Sequence, residues 1–145
     1  MSDFWRKWMI GLCWAILLFG VSLAGGGMEA TSGPVRLIFA LLKGPGALNL
    51  DAQMRFSLGV LGAVSIGWSL TLLAAIQAAN QLGELGRPIW VLVTGSVLTW
   101  NVIDSSLSIA TGFGLNAIAN TVILAAFLLP VIRSGVLRSP AQSPR

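Results

Sequence analysis

Long stretches without charged residues dominate the pattern along this chain. Residues 8–27 and 56–83 carry no charge, and residues 88–132 carry only Asp104. A membrane-spanning helix takes about 20 consecutive apolar residues, so the third stretch is long enough for two helices. Two glycines within residues 111–114 suit a tight turn that divides it. The pattern predicts an all-α membrane protein with one domain over residues 1–133, a bundle of four transmembrane helices near 8–26, 54–79, 88–110 and 114–133.

Proline and glycine mark the ends of these helices. Pro88 suits a first helical turn, where the N–H that proline lacks would have no helical acceptor. Residues 25–27 are three glycines that end the first helix. Pro130 falls within the last turns of the fourth helix and predicts a kink, which neighbouring groups can tolerate in a membrane. Residues 134–145 are polar and rich in serine and proline, and they predict a disordered cytoplasmic tail.

The first span has two interpretations. A basic start, an apolar core and the small residues of the Ser22-Leu23-Ala24 segment resemble a secretory signal with its cleavage site. The apolar run is long for a signal core, however, and Trp5 and Trp8 suit an anchor at the membrane interface. These features favour a retained helix, whereas cleavage would leave three spans.

A short apolar segment lies in the loop that follows the first span. Residues 34–43 are apolar except for Arg36 and Lys43, which are seven residues apart and share one face of a helix. Ten residues are too few to cross a membrane. The segment predicts an amphipathic helix that lies in the outer membrane interface. The alternative is a loop segment packed on the bundle.

The basic residues are spread along the edges of the apolar stretches. With the N terminus inside, the inner segments carry six Lys or Arg residues and the outer segments carry three. Because basic residues favour the cytoplasmic side, we expect both termini in the cytoplasm of a bacterial-type inner membrane. The net charge of +4 forms no patch, which argues against a nucleic-acid partner. The inner residues are Arg6, Lys7, Arg87, Arg133, Arg138 and Arg145, and the outer residues are Arg36, Lys43 and Arg55.

The residues that usually carry catalysis are scarce. The chain has no His and a single Cys, Cys13, which lies in the first span. This composition excludes an intrachain disulfide and most metal chemistry. The glycines at residues 25–27 are not followed by the lysine of a phosphate-binding loop. We expect no enzyme activity, no cofactor and no metal site, an inert thiol at Cys13, and the lipid bilayer as the main partner.

Small residues recur every four positions along the second predicted span. This spacing keeps them on one face, where a neighbouring backbone can approach closely. Gly20 and Ala24 form a shorter version in the first span. The pattern predicts a helix-packing face, directed either at a helix of the same chain or at another copy of it. Its members are Gly59, Ala63, Gly67, Thr71, Ala75 and Ala79.

Polar residues concentrate near the outer ends of three predicted spans. Asp104 is the one ionisable residue well inside a span, and such residues are costly in hydrocarbon. Sixteen residues separate it from Pro88, which at 1.5 Å per residue puts it about 24 Å up a core about 30 Å thick. The topology brings other polar side chains to a similar level. The candidate polar cluster is Arg55, Asn101, Asp104, Ser108, Asn116 and Asn120, with Thr94 and Thr111 on the same face of the third span.

Three arrangements of this cluster are open. In the first, Asp104 pairs with Arg55 and the asparagines satisfy one another, which pins the register of three helices. In the second, the cluster lines an outward-facing pocket for a solute, an ion or a lipid headgroup. In the third, the groups do not meet. A proton relay is disfavoured, because no titratable group lies at the midplane.

Three tryptophans lie within the second and third predicted spans. Trp68 and Trp100 predict core packing, since each lies well inside a span. Trp90 lies near the cytoplasmic end of the third span and predicts a residue of the membrane interface.

Two segments resemble known membrane proteins. RFSLGVLGAVSIGW (55–68) and WNVIDSSLSIATGFGLNAIANTVIL (100–124) are similar to segments of small four-span bacterial inner-membrane proteins, including uncharacterised ones broadly similar to the DoxX-like group. The two segments cover about a quarter of the chain. The resemblance implies a four-helix membrane bundle, and it carries no functional residue across.

The sequence leads to two hypotheses about function. The first is a small structural or accessory membrane protein that associates with itself or with a larger complex, motivated by the small-residue face. The second is a carrier that binds a small solute, an ion or a lipid through the polar cluster around Asp104.

Overall fold

The computed structural model describes residues 1–44 and 48–138. Within these ranges the chain is helical and forms no strand, which confirms the all-α prediction. Single-turn 3-10 helices at Glu29–Thr31 and Gly83–Gly86 precede the second and fourth α-helices. The α-helices are α1 (Asp3–Gly25), α2 (Gly33–Lys43), α3 (Ala52–Gln81), α4 (Arg87–Ala110) and α5 (Gly114–Ser134).

Three of these helices are long and apolar enough to cross a membrane. They are α1, α3 and α5, with 23, 30 and 21 residues. Most of each helix faces outward, with large apolar side chains such as Leu18, Val64 and Val122 more than half exposed. An apolar outer surface of this extent is unfavourable in water and suits lipid. The chain is therefore an integral membrane protein.

The four long helices meet around one apolar core. Met9 of α1, Ile76 of α3, Trp90 of α4 and Val131 of α5 are each at most 2% exposed. Trp90 was expected to be a residue of the membrane interface, but its side chain is buried in this core.

A close backbone contact joins α1 to α3 at a glycine. A Cβ added at Gly62 would lie 2.6 Å from the Cα of Ala24 and 2.6 Å from the carbonyl oxygen of Gly20. Gly20 is also closely packed, since an added Cβ would lie 3.0 Å from the backbone nitrogen of Ile66. Near the other end of the pair, the buried Ser69 hydroxyl donates to the carbonyl oxygen of Cys13 at 2.7 Å. Glycine therefore lets these two backbones pack directly on each other.

The small-residue face predicted for α3 does not take part in this contact. Gly59 and Gly67 have no atom within 4 Å of an added Cβ. Ala63 and Thr71 are exposed, and Ala75 is half-buried. The residues that α3 buries are Leu58, Gly62, Ser69, Leu72, Ile76 and Ala79, of which Ala79 alone belongs to the predicted face. The interpretation of this face as a contact within the chain is wrong for Ala63, Gly67 and Thr71, because these residues are exposed, whereas Gly59 is half-buried beside Gly27.

The short helix α2 packs across the end of the bundle. Val35 is 0% exposed and lies with Leu23 of α1 and Leu58 of α3. The ring of Phe39 packs edge-on against Phe113, with 5.8 Å between ring centroids. The opposite side of α2 exposes large apolar side chains, among them Leu41 at 70%. The predicted helix is present, and it contacts the bundle while keeping an apolar outer side.

The end of α5 contains Pro130, as expected, and the helix continues through it to Ser134. Proline has no N–H, so the carbonyl oxygen of Ala126, four residues earlier, loses its helical donor. The indole N–H of Trp8 donates to that oxygen at 2.9 Å. Trp8 therefore does more than anchor α1 at an interface, because it ties α1 to α5.

The chain after α5 departs from the predicted disorder. Ser134 is helical, and residues 135–138 form an ordered turn that begins at Gly135 in the left-handed conformation. Arg87 donates its Nε–H to the carbonyl oxygen of Leu137 at 3.0 Å, which fixes this turn against α4. The remainder of the predicted tail, residues 139–145, lies outside the described residues.

Candidate functional site

A short turn sets α4 and α5 side by side in opposite directions. The backbone N–H of Phe113 donates to the carbonyl oxygen of Ser108 at 2.7 Å. Gly112 adopts a φ of +79°, a left-handed conformation that side chains with a Cβ seldom take. The turn is therefore tight, and residues near the end of α4 face residues near the start of α5.

Three predicted cluster residues meet across this helix pair. The side-chain amide of Asn116 donates to Asp104 Oδ1 at 3.1 Å and to Ser108 Oγ at 2.8 Å. The Ser108 hydroxyl donates to the same Asp104 oxygen at 3.0 Å. Asp104 and Asn116 are half-buried, and Ser108 is buried. Polar hydrogen bonds between apolar helices hold their register.

Two further asparagines lie deeper in the same interface. Because the helices are antiparallel, Asn120 lies one turn below Asn116 and Asn101 lies about one turn below Asp104. The Nδ2 atoms of both Asn101 and Asn120 are buried and have no hydrogen-bond partner among the described residues. The Oγ atom of the neighbouring Ser105 is also buried and has no hydrogen-bond partner among the described residues. The polar column thus continues inward from the hydrogen-bonded cluster, with donors that the described residues leave unsatisfied.

Arg55 does not join this column. Its guanidinium forms a salt bridge with Glu29, and it also donates to the carbonyl oxygen of Gly26 at 3.5 Å. Asp104 forms no salt bridge with a described residue. The predicted Arg55–Asp104 pair is wrong, because α3 packs most closely on α1 and so the start of α3 faces the turn after α1.

The partner of Arg55 belongs to a second polar group that sequence reasoning missed. Glu29 accepts from both Arg55 and Arg36, the latter at 3.0 Å. Arg36 also donates its Nε–H to the hydroxyl of Ser32 at 3.2 Å. The hydrogen bond from Arg55, followed by that from Arg36 and the charges of both, lowers the pKa of the Glu29 carboxyl. This group joins the turn after α1 to the starts of α2 and α3.

A weak signal for the second group exists in the sequence. Glu29 is seven residues from Arg36, close to a distance that a turn and the first residues of a helix can bring together. Nothing local indicates that Arg55 comes to the same place, because that depends on how α3 packs on α1.

The column around Asp104 has the chemistry of a small polar binding site. One carboxylate, three amides at its level or below and several hydroxyls can accept and donate hydrogen bonds to a small solute or coordinate a cation. No group of three His, Cys, Asp or Glu side chains comes together in the described ranges. The Asp104 carboxylate has no cationic partner among the described residues, and the donors that bind it, Ser108 and Asn116, are neutral.

Comparisons with known proteins add no identification to this geometry. No family model, no curated protein and no solved structure matches the chain.

Proposed function

We propose that α4 is a fourth membrane span, so that the chain crosses the bilayer four times. The helix has 24 residues, which at 1.5 Å per residue is about 36 Å and exceeds a hydrocarbon core of about 30 Å. It packs in the same core as α1, α3 and α5 through Trp90, Val93 and Val97. A helix that lies alongside three spanning helices occupies the same depth.

The proposed orientation has both chain ends in the cytoplasm of a bacterial-type inner membrane. The starts of α1 and α4 and the ends of α3 and α5 lie at one end of the bundle, as an even number of crossings requires. That end carries Arg6, Lys7, Arg87, Arg133 and Arg138, and the positive-inside rule assigns it to the cytoplasm. In this orientation α2 lies in the outer interface with its apolar side towards lipid.

The function that we propose is that of a structural or accessory membrane protein, which acts by associating with another copy of itself or with a larger complex. One observation carries this proposal: the part of the small-residue face from Ala63 to Thr71 is exposed in the described structure. Gly59 and Gly67 have open space where a Cβ would stand, and Ala63 between them is exposed. In lipid, where apolarity does not drive helices together, such a face lets a second backbone come close.

The test is to fill this face without disturbing the fold. We expect Gly59→Leu and Gly67→Leu to reduce the mass of the complex extracted in a mild detergent, because each leucine would hold the partner helix away. Gly11→Leu in α1 and Gly95→Leu in α4 are matched controls, since both glycines also have no atom within 4 Å of an added Cβ. Equal masses for all four variants and the unmodified chain would contradict the proposal.

A second candidate is a carrier for a small solute, an ion or a lipid, which uses the polar column around Asp104. It is favoured by the buried amide nitrogens of Asn101 and Asn120, which have no partner among the described residues. A buried polar group without a partner costs about 1–3 kcal/mol, so such groups call for an explanation. Purified protein in liposomes of neutral lipid would be tested for uptake of a panel of small polar solutes and monovalent cations. Uptake by the unmodified chain that is abolished in Asp104→Asn would support the carrier. If the unmodified chain took up no member of the panel, the carrier would be ruled out.

A further inference from the structure

A cavity of about 360 Å³ opens at the end of the bundle where α3 ends and α4 begins. This volume lies within the range of about 300–1,000 Å³ that small-molecule sites occupy. The turn after α5 closes one side of the cavity, and the buried ring of Trp90 lies on its wall. Its polar lining consists of Asn80, Glu84, Arg87, Ser134 and Arg138.

The two arginines give the cavity a positive character. Arg87 is half-buried and uses its Nε–H to hold the Leu137 carbonyl, which leaves its two terminal nitrogens available to a ligand. The guanidinium of Arg138 lies over Gly135, beside the same opening. Neither arginine forms a salt bridge with any residue that the structure describes. Glu84 is exposed, and it is the single carboxylate among the described lining residues.

Two other features of the lining suit an anion. The hydroxyl oxygen of Ser134 is buried and has no partner in the part of the chain that the structure describes. The N terminus of α4 begins at the cavity, and no side chain caps it. The Arg87 N–H already donates to the Glu84 carbonyl and Pro88 has none, so this end of α4 favours a negative ligand through its helix dipole. Two guanidiniums and the positive end of a helix therefore lie at one cavity.

The cavity also lies at the level of the lipid headgroups. The 30 residues of α3 are about 45 Å long, which matches the about 40–45 Å thickness of a bilayer with its headgroups. The last turn of α3, which contributes Ala79 and Asn80 to the cavity, is thus at the membrane surface. Basic pockets between membrane helices at this level are a known way of binding phosphate headgroups.

We propose that this cavity binds a phosphate group, held by Arg87 and Arg138 and carried either by an anionic lipid headgroup or by free phosphate. Arginine suits this task because its planar fork donates two parallel hydrogen bonds to phosphate oxygens. The site is separate from the polar column around Asp104 and from the part of the small-residue face of α3 between Gly59 and Thr71.

The experiment uses the full chain in two arms. In the lipid arm, protein in nanodiscs of phosphatidylcholine with a minor fraction of phosphatidylglycerol is released in the gas phase, and the retained lipids are counted by native mass spectrometry. In the phosphate arm, protein in a neutral detergent is titrated with inorganic phosphate at constant ionic strength, and its thermal unfolding temperature is followed. Both arms compare the unmodified chain with Arg87→Gln, Arg138→Gln and Arg133→Gln.

Arg133 is the matched control, because it is exposed at the same end of the bundle and does not line the cavity. We expect a preference for phosphatidylglycerol that falls roughly tenfold in Arg87→Gln and in Arg138→Gln and is unchanged in Arg133→Gln. Arg138→Gln is the second variant in case Arg87→Gln fails to fold, since the side chain of Arg138 forms no hydrogen bond with a described residue, whereas that of Arg87 binds the Leu137 carbonyl. Helical circular dichroism of each variant checks the fold.

The outcomes separate the sources of the phosphate group. Arginine-dependent retention of lipid without an effect of inorganic phosphate would identify a headgroup site. Arginine-dependent stabilisation by inorganic phosphate would identify a site for the free anion. An equal loss of lipid preference in all three variants would indicate general attraction of anions to a basic surface and would overturn the proposal. The proposal would also be overturned if the unmodified chain showed no preference for phosphatidylglycerol and no stabilisation by inorganic phosphate.

Discussion

The indole N–H of Trp8 donates to the carbonyl oxygen of Ala126, an oxygen that Pro130 leaves without its helical donor. Pro130 and Trp8 therefore act together. Pro130 leaves a carbonyl oxygen of α5 without a helical donor, and Trp8 of α1 donates to that oxygen and so links the two helices. Buried or lipid-facing carbonyls without a donor are costly, which gives the bond its value.

This relationship predicts an interaction between two substitutions. Trp8→Phe should lower the free energy of unfolding by about 1 kcal/mol, because the Ala126 carbonyl loses its donor. In a Pro130→Ala background the loss should be smaller, since the new N–H at position 130 serves the same oxygen. Unfolding in detergent would measure both. Trp14→Phe is the control, as Trp14 is about half exposed and donates to no described residue. Strictly additive losses of unfolding free energy would contradict this relationship between Trp8 and Pro130.

The contact between α1 and α3 predicts a strong asymmetry among the glycines of α3. Gly62→Ala should destabilise the protein by about 1–3 kcal/mol or more, because the new methyl group would push against the backbone of Ala24. Gly67→Ala should have no such cost, and it gains helix propensity. Thermal unfolding of the two variants in the same detergent would distinguish them. A similar loss in both would show that close packing at Gly62 is unimportant.

The group around Glu29 predicts a dependence of stability on pH. Hydrogen bonds from Arg55 and then Arg36 lower the pKa of this carboxyl in the folded protein, so its ion pairs contribute fully above the ordinary pKa of a glutamate. The contribution is lost as the pH falls from that value through the lowered pKa. Glu29→Gln should therefore be less stable at neutral pH and should converge on the unmodified chain in acid. A constant difference between the two chains across this range would argue against the assignment.

The polar column predicts which substitutions are coupled. Asp104→Ala and Asn116→Ala should show a coupling energy of about 0.5–2 kcal/mol in a double-mutant cycle, because they share a hydrogen bond at 3.1 Å. Asp104→Ala and Arg55→Ala should be additive, since Arg55 pairs with Glu29 instead. Asp104→Asn should be nearly neutral, as it keeps an acceptor for Asn116 and Ser108. Coupling between Arg55 and Asp104 would restore the pair that the sequence suggested.

Local signals in the sequence predicted the elements well. The four long predicted helices end within a few residues of α1, α3, α4 and α5, because charge-free runs, glycines and prolines act within a turn of where they occur. The contact between Asp104, Ser108 and Asn116 was also predictable, because a turn of three residues forces α4 and α5 to pack side by side in opposite directions.

Partner choice over longer separations was not predictable. A fourfold repeat identifies one face of α3 but does not say whether that face turns inward, and the chain uses Gly62 on the other side. Arg55 had three carboxylates within topological reach, Glu29, Asp51 and Asp104, and the packing of α3 on α1 brings it to Glu29. Trp90 carries no local mark that separates a core residue from an interface residue. These outcomes depend on which helices pack together. The sequence pattern of a single helix does not carry that information.

The cavity at the end of the bundle has a consequence for how the protein can be studied. Its wall brings together Met1, Glu84 and Arg138, three points far apart along the chain. A label attached at any of them therefore reports on one and the same aqueous compartment. A single accessibility measurement at residue 84, in intact cells with a reagent that does not cross membranes, would fix the sidedness of the whole molecule.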